Sequence, residues 1–260
     1  MKDLESEKKM AVLIDAENAQ RSVLGAALAE LSKHGHIIVK KAYGDWSSTH
    51  LKNWKQRLNE LAITPVQQFS YTQGKNSSDA AMIIDAMDLL YSKKVDAFAL
   101  ISSDSDFTKL ASRLKESQIY VFGVGEQKTP LAFRNACDDF ISTEVLRDLD
   151  TEQGEEKNRP NEAHPSNTKK TRQELCCDTR LLNILRNSIC EYADDDGWAP
   201  LGNCGGLIKR QYPDFDSRTY GCTTLTKLIE ATGLFEVDRR QSGSSKVHDI
   251  YVKDKRTQNA

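Results

Sequence analysis

Apolar runs alternate with amphipathic stretches along the first part of the chain. The apolar runs predict β-strands at residues 10–15, 37–43, 66–71, 97–102 and 120–125. Apolar residues at helical spacing between them predict helices at 22–33, 48–61, 78–91, 107–116 and 131–137. Apolar strands that alternate with helices are typical of a parallel sheet covered on both faces. The pattern therefore predicts a doubly wound, mostly parallel α/β domain over residues 1–150.

Residues 151–172 break this alternation because they contain almost nothing that a core would bury. Low hydrophobicity with Pro and Gly predicts a flexible linker there. Beyond it, helical spacing returns, with a third helix predicted at 217–232, and two strands surround a glycine-containing loop at 241–245. Helices followed by a hairpin form the winged-helix pattern. Residues 173–260 are therefore predicted to form a second, smaller winged-helix domain.

Composition narrows the class of protein. The 260 residues carry a net charge of −2, and 38% are hydrophobic. This charge excludes a polybasic nucleic-acid binder but leaves local basic patches open. No apolar run approaches the roughly 20 residues of a membrane span, and the first residues lack the apolar core of a signal peptide. We therefore expect a cytoplasmic protein that does not associate with membranes.

Carboxylates follow two of the predicted strands. Asp15 ends the first strand, and Asp104 and Asp106 follow the fourth. The carboxyl ends of parallel strands meet at one edge of the sheet, where α/β proteins place their chemistry. Asp is also a common helix N-cap, and we expect Asp104 or Asp106 to cap the helix that begins near residue 107.

A further carboxylate, Asp79, lies in the first turn of a predicted helix. It shares one stripe with apolar Ile83 and Ala86, and that stripe must face the sheet. Asp79 is therefore expected above the strand ends, where a carboxylate needs a cation, hydrogen bonds or a raised pKa. Lys75 and Asn76 precede the same helix and are candidates for phosphate contacts near its N-terminus.

Clustered carboxylate oxygens favour hard divalent cations. Asp15, Asp79 and Asp104 together predict a site for one or two Mg²⁺ or Mn²⁺ ions, with Asn18 as an amide that orients Asp15. Such ions lower the pKa of a bound water and neutralise charge on a phosphate. Metal-assisted cleavage of a phosphodiester is therefore the leading hypothesis.

Five sequence motifs of the first domain carry a family resemblance: residues 13–18, 42–46, 74–79, 102–107 and 130–140. Together they resemble the NYN domain, a branch of the PIN-like ribonucleases, in its bacterial LabA-like members. The resemblance spans roughly residues 9–146. It implies a metal-dependent, endonucleolytic RNA-cleaving site built from Asp15, Asp79 and Asp104, with Asp106 as a fourth member. Asn18 matches the asparagine of the motif.

The second domain resembles the LOTUS domain, also called OST-HTH, in three sequence motifs, at residues 195–198, 213–221 and 234–237. That winged-helix family is found fused to NYN domains, and the resemblance implies RNA binding. Some members bind protein partners instead. Cations that would contact phosphates are Lys209, Arg210, Arg218, Lys227, Arg239, Arg240 and Lys246. A solvated face with scattered charge is the alternative interpretation.

Several alternatives stay open at this point. The acids are also compatible with a non-catalytic RNA-binding or scaffold protein. The run from Asp104 to Thr108 fits the nucleophile loop of haloacid-dehalogenase-like phosphatases, although Asp15 and Asp79 would then have no role. DNA cleavage would use the same chemistry as RNA cleavage. A homo-oligomer that pairs through a sheet edge or the winged helix is a further possibility.

Overall fold

The computed structural model describes residues 7–69, 77–152, 170–241 and 248–256, and the chain divides into two compact units, Met1–Lys157 and Asn158–Ala260. The first unit contains β1 Lys9–Asp15, α1 Leu24–Leu31, β2 His36–Gly44, α2 Trp54–Glu60, β3 Thr64–Gln67, α3 Ser77–Tyr91, β4 Ala97–Ile101, α4 Thr108–Glu116, β5 Tyr120–Gly125, α5 Leu131–Ala136, β6 Asp139–Ser142 and α6 Thr143–Glu152. No helix within the described ranges is long and apolar enough to cross a bilayer.

The six strands of the first unit form one parallel sheet in the order β3-β2-β1-β4-β5-β6. This is the order of doubly wound α/β folds, in which the direction of winding reverses between β1 and β4. The chain leaves these two strands towards opposite faces of the sheet, so a crevice opens at their carboxyl ends. The predicted fold class is confirmed, and the topology directs attention to the residues that follow β1 and β4.

Both faces of this sheet are buried. Val12 and Ile14 of β1 pack in one hydrophobic cluster with residues of α1 and α2. Ala11 and Leu13, which point to the other face, pack in a second cluster with residues of α3 and α4. Because successive residues are buried on opposite sides, β1 has an uninterrupted apolar sequence rather than an alternating one.

Element boundaries in the first unit differ from the prediction in a few places. The third strand is Thr64–Gln67 rather than 66–71, and residues 70–76 lie outside the described part. Three predicted helices begin with a 3₁₀ turn, at Arg21–Val23, Thr49–Leu51 and Ser105–Phe107. The short strand β6 and the helix α6 were not predicted, because β6 has only four residues.

The second unit contains α7 Arg172–Cys177, α8 Thr179–Tyr192, β7 Ala199–Pro200, α9 Leu201–Gln211, α10 Leu225–Thr232, β8 Phe235–Gln241 and β9 His248–Asp254. The three strands form an antiparallel sheet in the order β7-β9-β8. Leu185, Leu228 and Val252 are fully buried where the helices meet this sheet. Helices followed by an antiparallel hairpin confirm the second, smaller domain of the predicted fold class.

Two predictions for this half of the chain need correction. The predicted third helix at 217–232 is interrupted, because Gly221 takes a left-handed conformation (φ 75°) that ends the 3₁₀ turn Ser217–Tyr220. Thr224 then caps α10 by accepting a hydrogen bond from the backbone N–H of Lys227. Helices α6 and α7 also occupy the ends of the predicted linker 151–172, and residues 153–169 lie outside the described part.

Candidate metal centre

Asp15, the last residue of β1, is almost fully buried at 2% exposure. Its Oδ1 accepts hydrogen bonds from the backbone N–H groups of Glu17 (3.1 Å) and Asn18 (3.3 Å). Its Oδ2 accepts from Asn18 Nδ2 (2.9 Å) and from Ser102 Oγ (2.7 Å). Four donors compensate for the burial of the carboxylate and hold it in one orientation. Asn18 thus holds Asp15 through both its backbone and its side chain.

Ser102 joins the ends of β1 and β4. Its side chain is fully buried; the hydroxyl donates to Asp15 Oδ2 and accepts a hydrogen bond from the backbone N–H of Asp104 (3.0 Å). One hydroxyl therefore sets the position of Asp15 relative to Asp104. Ser102 was not among the predicted site residues, although its place directly after the buried strand β4 is a signal in the sequence.

Asp79, Asp104 and Asp106 form an acidic triad in which one carboxylate oxygen of each residue lies within 4.8 Å of the others. Asp79 is buried in the first turn of α3, Asp104 is half-buried and Asp106 is exposed. Asp104 Oδ1 accepts from the backbone N–H of Asp106 (2.9 Å) and so caps the 3₁₀ turn Ser105–Phe107. Three carboxylates at this spacing fit a hard divalent cation such as Mg²⁺ or Mn²⁺.

The carboxylate of Asp79 is destabilised in its charged form. Burial, and then the negative charges of Asp15, Asp104, Glu17 and Asp106, raise the pKa of Asp79 from 3.8 to about 6. A cation bound among these oxygens would relieve the repulsion and lower that pKa again. The electrostatics of the site therefore favour a positive ligand.

The structure brings the four predicted acids to one edge of the sheet. Asp106, the expected fourth member, lies in the triad with Asp79 and Asp104, and Asp15 lies beside Asp79. Asp15 directs both of its oxygens at protein donors, while its charge still raises the pKa of Asp79. Lys75 and Asn76 lie outside the described residues.

A cavity of about 470 Å³ opens beside the triad. Its lining includes Glu17, Asn18, Ser103, Asp104, Glu126 and Lys128. Lys128 Nζ lies 2.8 Å from Glu126 Oε2. The cavity gives Asp104 access to solvent and to a ligand, and Lys128 brings a cation to the same lining.

Five of the seven predicted phosphate-binding cations of the second unit fall into two groups. One group forms ion pairs with carboxylates: Arg218 with Asp216 (2.7 Å), Arg239 with Glu230 (3.1 Å) and Arg240 with Asp238 (2.8 Å). In the other, Arg210 donates to the Tyr192 hydroxyl and Lys227 to the Thr223 hydroxyl, and hydroxyls do not neutralise a cation. Lys209 is exposed on α9. Lys246 lies outside the described residues.

Residues 9–146, more than half of the chain, match the NYN domain family. The chain belongs to the NYN family. Residues 176–247 match the OST-HTH/LOTUS domain, so this NYN protein carries the fusion that the sequence analysis identified. NYN domains are PIN-like nucleases and generally use divalent metals. The acidic triad lies within the NYN domain, and the two families together support a nuclease or RNA-associated role.

Individual relatives of this NYN protein are distant. An uncharacterized protein of Methanocaldococcus jannaschii is 27% identical over 158 residues, a match that covers 59% of this chain and 62% of that relative's length. A solved structure of a protein of unknown function from Vibrio parahaemolyticus has 17% identity and a TM-score of 0.45, covering 55% of this chain and 95% of its own. An uncharacterized protein from Nitrosomonas europaea has 31% identity and a TM-score of 0.27, covering 40% and 90%.

Replacing Ser102 with Ala tests the link between β1 and β4. The substitution removes one of the two donors to Asp15 Oδ2 and the acceptor of the Asp104 N–H, so we expect a loss of about 1–3 kcal/mol of unfolding free energy. Denaturant unfolding measures it. The matched control is Ser112→Ala, whose hydroxyl donates to Thr108 O within α4 (3.0 Å); that change should stay within about 0.5 kcal/mol. Equal stability of the two variants would contradict the bridging role of Ser102.

Proposed function

We propose that this NYN protein is a metal-dependent endoribonuclease. Its NYN domain cleaves RNA phosphodiester bonds with Mg²⁺ or Mn²⁺, and its OST-HTH/LOTUS domain recruits the RNA. The observation that carries the proposal is the triad of Asp79, Asp104 and Asp106 in the crevice between β1 and β4. The chain belongs to a nuclease family, and the acidic cluster lies where the winding of the sheet reverses, a usual place for an active site; both support phosphodiester cleavage.

A bound divalent ion would supply an activated water and would offset the charge that builds on the scissile phosphate. The residues of the chain hold the oxygens for that ion in place. Asp104 is positioned by its backbone bond to Ser102, and Ser102 is positioned by Asp15. Asp79 contributes a buried carboxylate whose raised pKa reflects the repulsion that a cation removes. Asp15 and Asn18 act as positioning residues in this proposal.

The phosphodiester of RNA brings negative charge to an acidic site, so binding energy must come from elsewhere. We propose that the OST-HTH/LOTUS domain supplies it through cations whose neighbours are hydroxyls, Arg210 and Lys227, together with Lys209. Phosphate contacts set affinity rather than sequence choice. Recruitment of a protein partner by the same domain is the alternative, and measured RNA affinity separates the two.

The test is incubation of the full chain with end-labelled single-stranded RNA in Mg²⁺ or Mn²⁺, with EDTA as control. Internal fragments that require the metal support the proposal and establish endonucleolytic cleavage. RNA that is bound but stays intact in both metals would contradict the nuclease and favour the non-catalytic RNA-binding protein. A parallel reaction with single-stranded DNA decides which sugar the site accepts.

Replacing Arg210 and Lys227 together with Gln is expected to weaken RNA binding about uniformly across sequences. On single-stranded RNA, loss of two phosphate contacts should make the dependence of log K on log salt less steep by about 1.4. Fluorescence anisotropy of a labelled RNA at several salt concentrations measures both quantities. The control is Arg239→Gln, because Glu230 already neutralises that guanidinium. An unchanged salt dependence in the double variant would argue against recruitment by these cations.

A further inference from the structure

A second cavity, of about 510 Å³, lies at the carboxyl ends of β1 and β2. Its lining includes Ala16, Glu17, Ala19, His50, Leu51 and Trp54. Glu17 lines this cavity and also the one that opens onto Asp104, so the two are neighbours. The volume lies in the range of about 300–1,000 Å³ that small-ligand sites occupy. A ligand in this cavity would lie next to the triad without occupying it.

Asp45, in the loop after β2, also lines the cavity. Asp45 Oδ1 accepts hydrogen bonds from the backbone N–H of Ser47 (3.1 Å) and from Gln67 Nε2 (2.9 Å). Trp46 Nε1 donates to the carbonyl of Val66 (2.9 Å) on the neighbouring strand. The bonds to Gln67 and Val66 connect the loop after β2 to β3. The cavity is therefore preformed rather than assembled by its ligand.

The lining of the cavity has an apolar part and a polar part. Ala16, Leu51 and Trp54 are buried and present apolar surface. The exposed Glu17 adds a carboxylate to the lining, and the exposed His50 lines the cavity as well. A nucleobase has the matching shape, with apolar faces and a polar edge, and unstacked bases are what proteins recognise in single-stranded RNA.

We propose that this cavity holds the base of an RNA nucleotide next to the scissile phosphate and that Glu17 selects guanine. The inference rests on the proposed function, since it concerns the substrate of the same site. Guanine presents two adjacent donors, N1–H and N2–H₂, to the two oxygens of a carboxylate. The same edge of adenine, cytosine or uracil places an acceptor beside its donor, which repels a carboxylate oxygen. Glu17 is thus a specificity-determining residue.

The first test uses the four ribonucleosides, because they carry no phosphate and bind without metal. Each is titrated in EDTA into the ¹⁵N-labelled full chain, and the indole N–H signals of Trp46, Trp54 and Trp198 are followed. Guanosine is expected to shift the signal of Trp54, which lines the cavity, and to bind about tenfold more tightly than the other three. The signal of Trp198, in the other unit, should not move.

Two variants and one control make the test specific. Glu17→Gln replaces one acceptor with a donor and should reduce guanosine affinity about tenfold, to the level of the other nucleosides. Ala19→Leu adds volume inside the cavity and should weaken all four. Glu116→Gln changes an exposed acid on α4, away from the cavity, and should bind as the parent chain does. Sharp, dispersed backbone amide signals in the absence of nucleoside establish that each variant is folded.

The outcomes separate this inference from the proposed function. Equal binding of all four nucleosides, binding that Glu17→Gln leaves unchanged, or no shift of Trp54 would overturn the guanine pocket, even if RNA is cleaved. Selective guanosine binding in a chain that cleaves no RNA would support the pocket and refute the nuclease. If the parent chain cleaves RNA next to guanosine and Glu17→Gln also cleaves next to other bases, the result supports both the guanine pocket and the nuclease.

Discussion

Replacing Asp104 with Asn is expected to reduce cleavage of single-stranded RNA by on the order of a thousandfold, because the triad loses one of its three charges. The fold should survive. Asp104 caps the turn Ser105–Phe107 by accepting a hydrogen bond, and an Asn oxygen accepts that bond equally well. The substitution therefore removes negative charge at the site while it preserves the local structure. Initial rates of cleavage in Mn²⁺ measure the effect.

The control for this experiment is Asp88→Asn, which removes the same charge from the exposed side of α3. It should cleave RNA at the rate of the parent chain. Mn²⁺ binding, followed by calorimetry, must fall with activity in Asp104→Asn if the residue holds the metal. A folded Asp104→Asn protein with parental rates would exclude the triad as the active site.

Replacing Asp79 with Asn is expected to have opposite effects on activity and on stability. Cleavage should be lost, because the buried member of the triad no longer carries a charge. The metal-free protein should become more stable at neutral pH. The pKa of Asp79 is raised from 3.8 to about 6, so a charged Asp79 at pH 7 costs up to about 3 kcal/mol, a cost that Asn does not carry.

The raised pKa of Asp79 also determines how the free energy of unfolding changes with pH. Between pH 3.8 and about 6 the folded chain binds more protons at Asp79 than the unfolded chain does. The contribution of Asp79 to the unfolding free energy is therefore present at low pH and is lost as the pH rises through about 6. The unfolding free energy of Asp79→Asn should not fall in this way as the pH rises. Metal binding requires the charged form, so Mn²⁺ affinity should rise with pH and level off above about 6.

Denaturant unfolding in EDTA, at a series of pH values from 4 to 8, measures the stability effect. The indole signals of Trp46 and Trp54 should be followed, because both residues belong to the first unit and a two-unit chain has no single unfolding transition. Asp88→Asn is again the matched control on the same helix. Added Mn²⁺ should stabilise the parent chain and leave Asp79→Asn unaffected. A variant less stable than the parent at pH 7 in EDTA would refute the repulsion among these acids.

The sequence alone is sufficient to predict several elements of this fold and the position of one acid of the site. The apolar runs before Asp15 and Asp104 are sufficient to predict β1 and β4, because a strand buried on both faces needs apolar side chains at every position. The stripe of α3 places Asp79 on its buried side, where the structure finds it at 7% exposure. Both features depend only on local periodicity, which the sequence contains directly.

Only the tertiary structure determines which of these side chains meet. One carboxylate oxygen each of Asp79, Asp104 and Asp106 lies within 4.8 Å of the others, whereas Asp15 is held beside them by Asn18 and by Ser102. Ser102 lies 87 residues further along the chain from Asp15, and the pairing of β1 with β4 brings them together. Strand order and register arise from burying both faces of the whole sheet at once. Periodicity assigns each residue to a face, whereas its neighbours on that face depend on every other strand and helix in the fold.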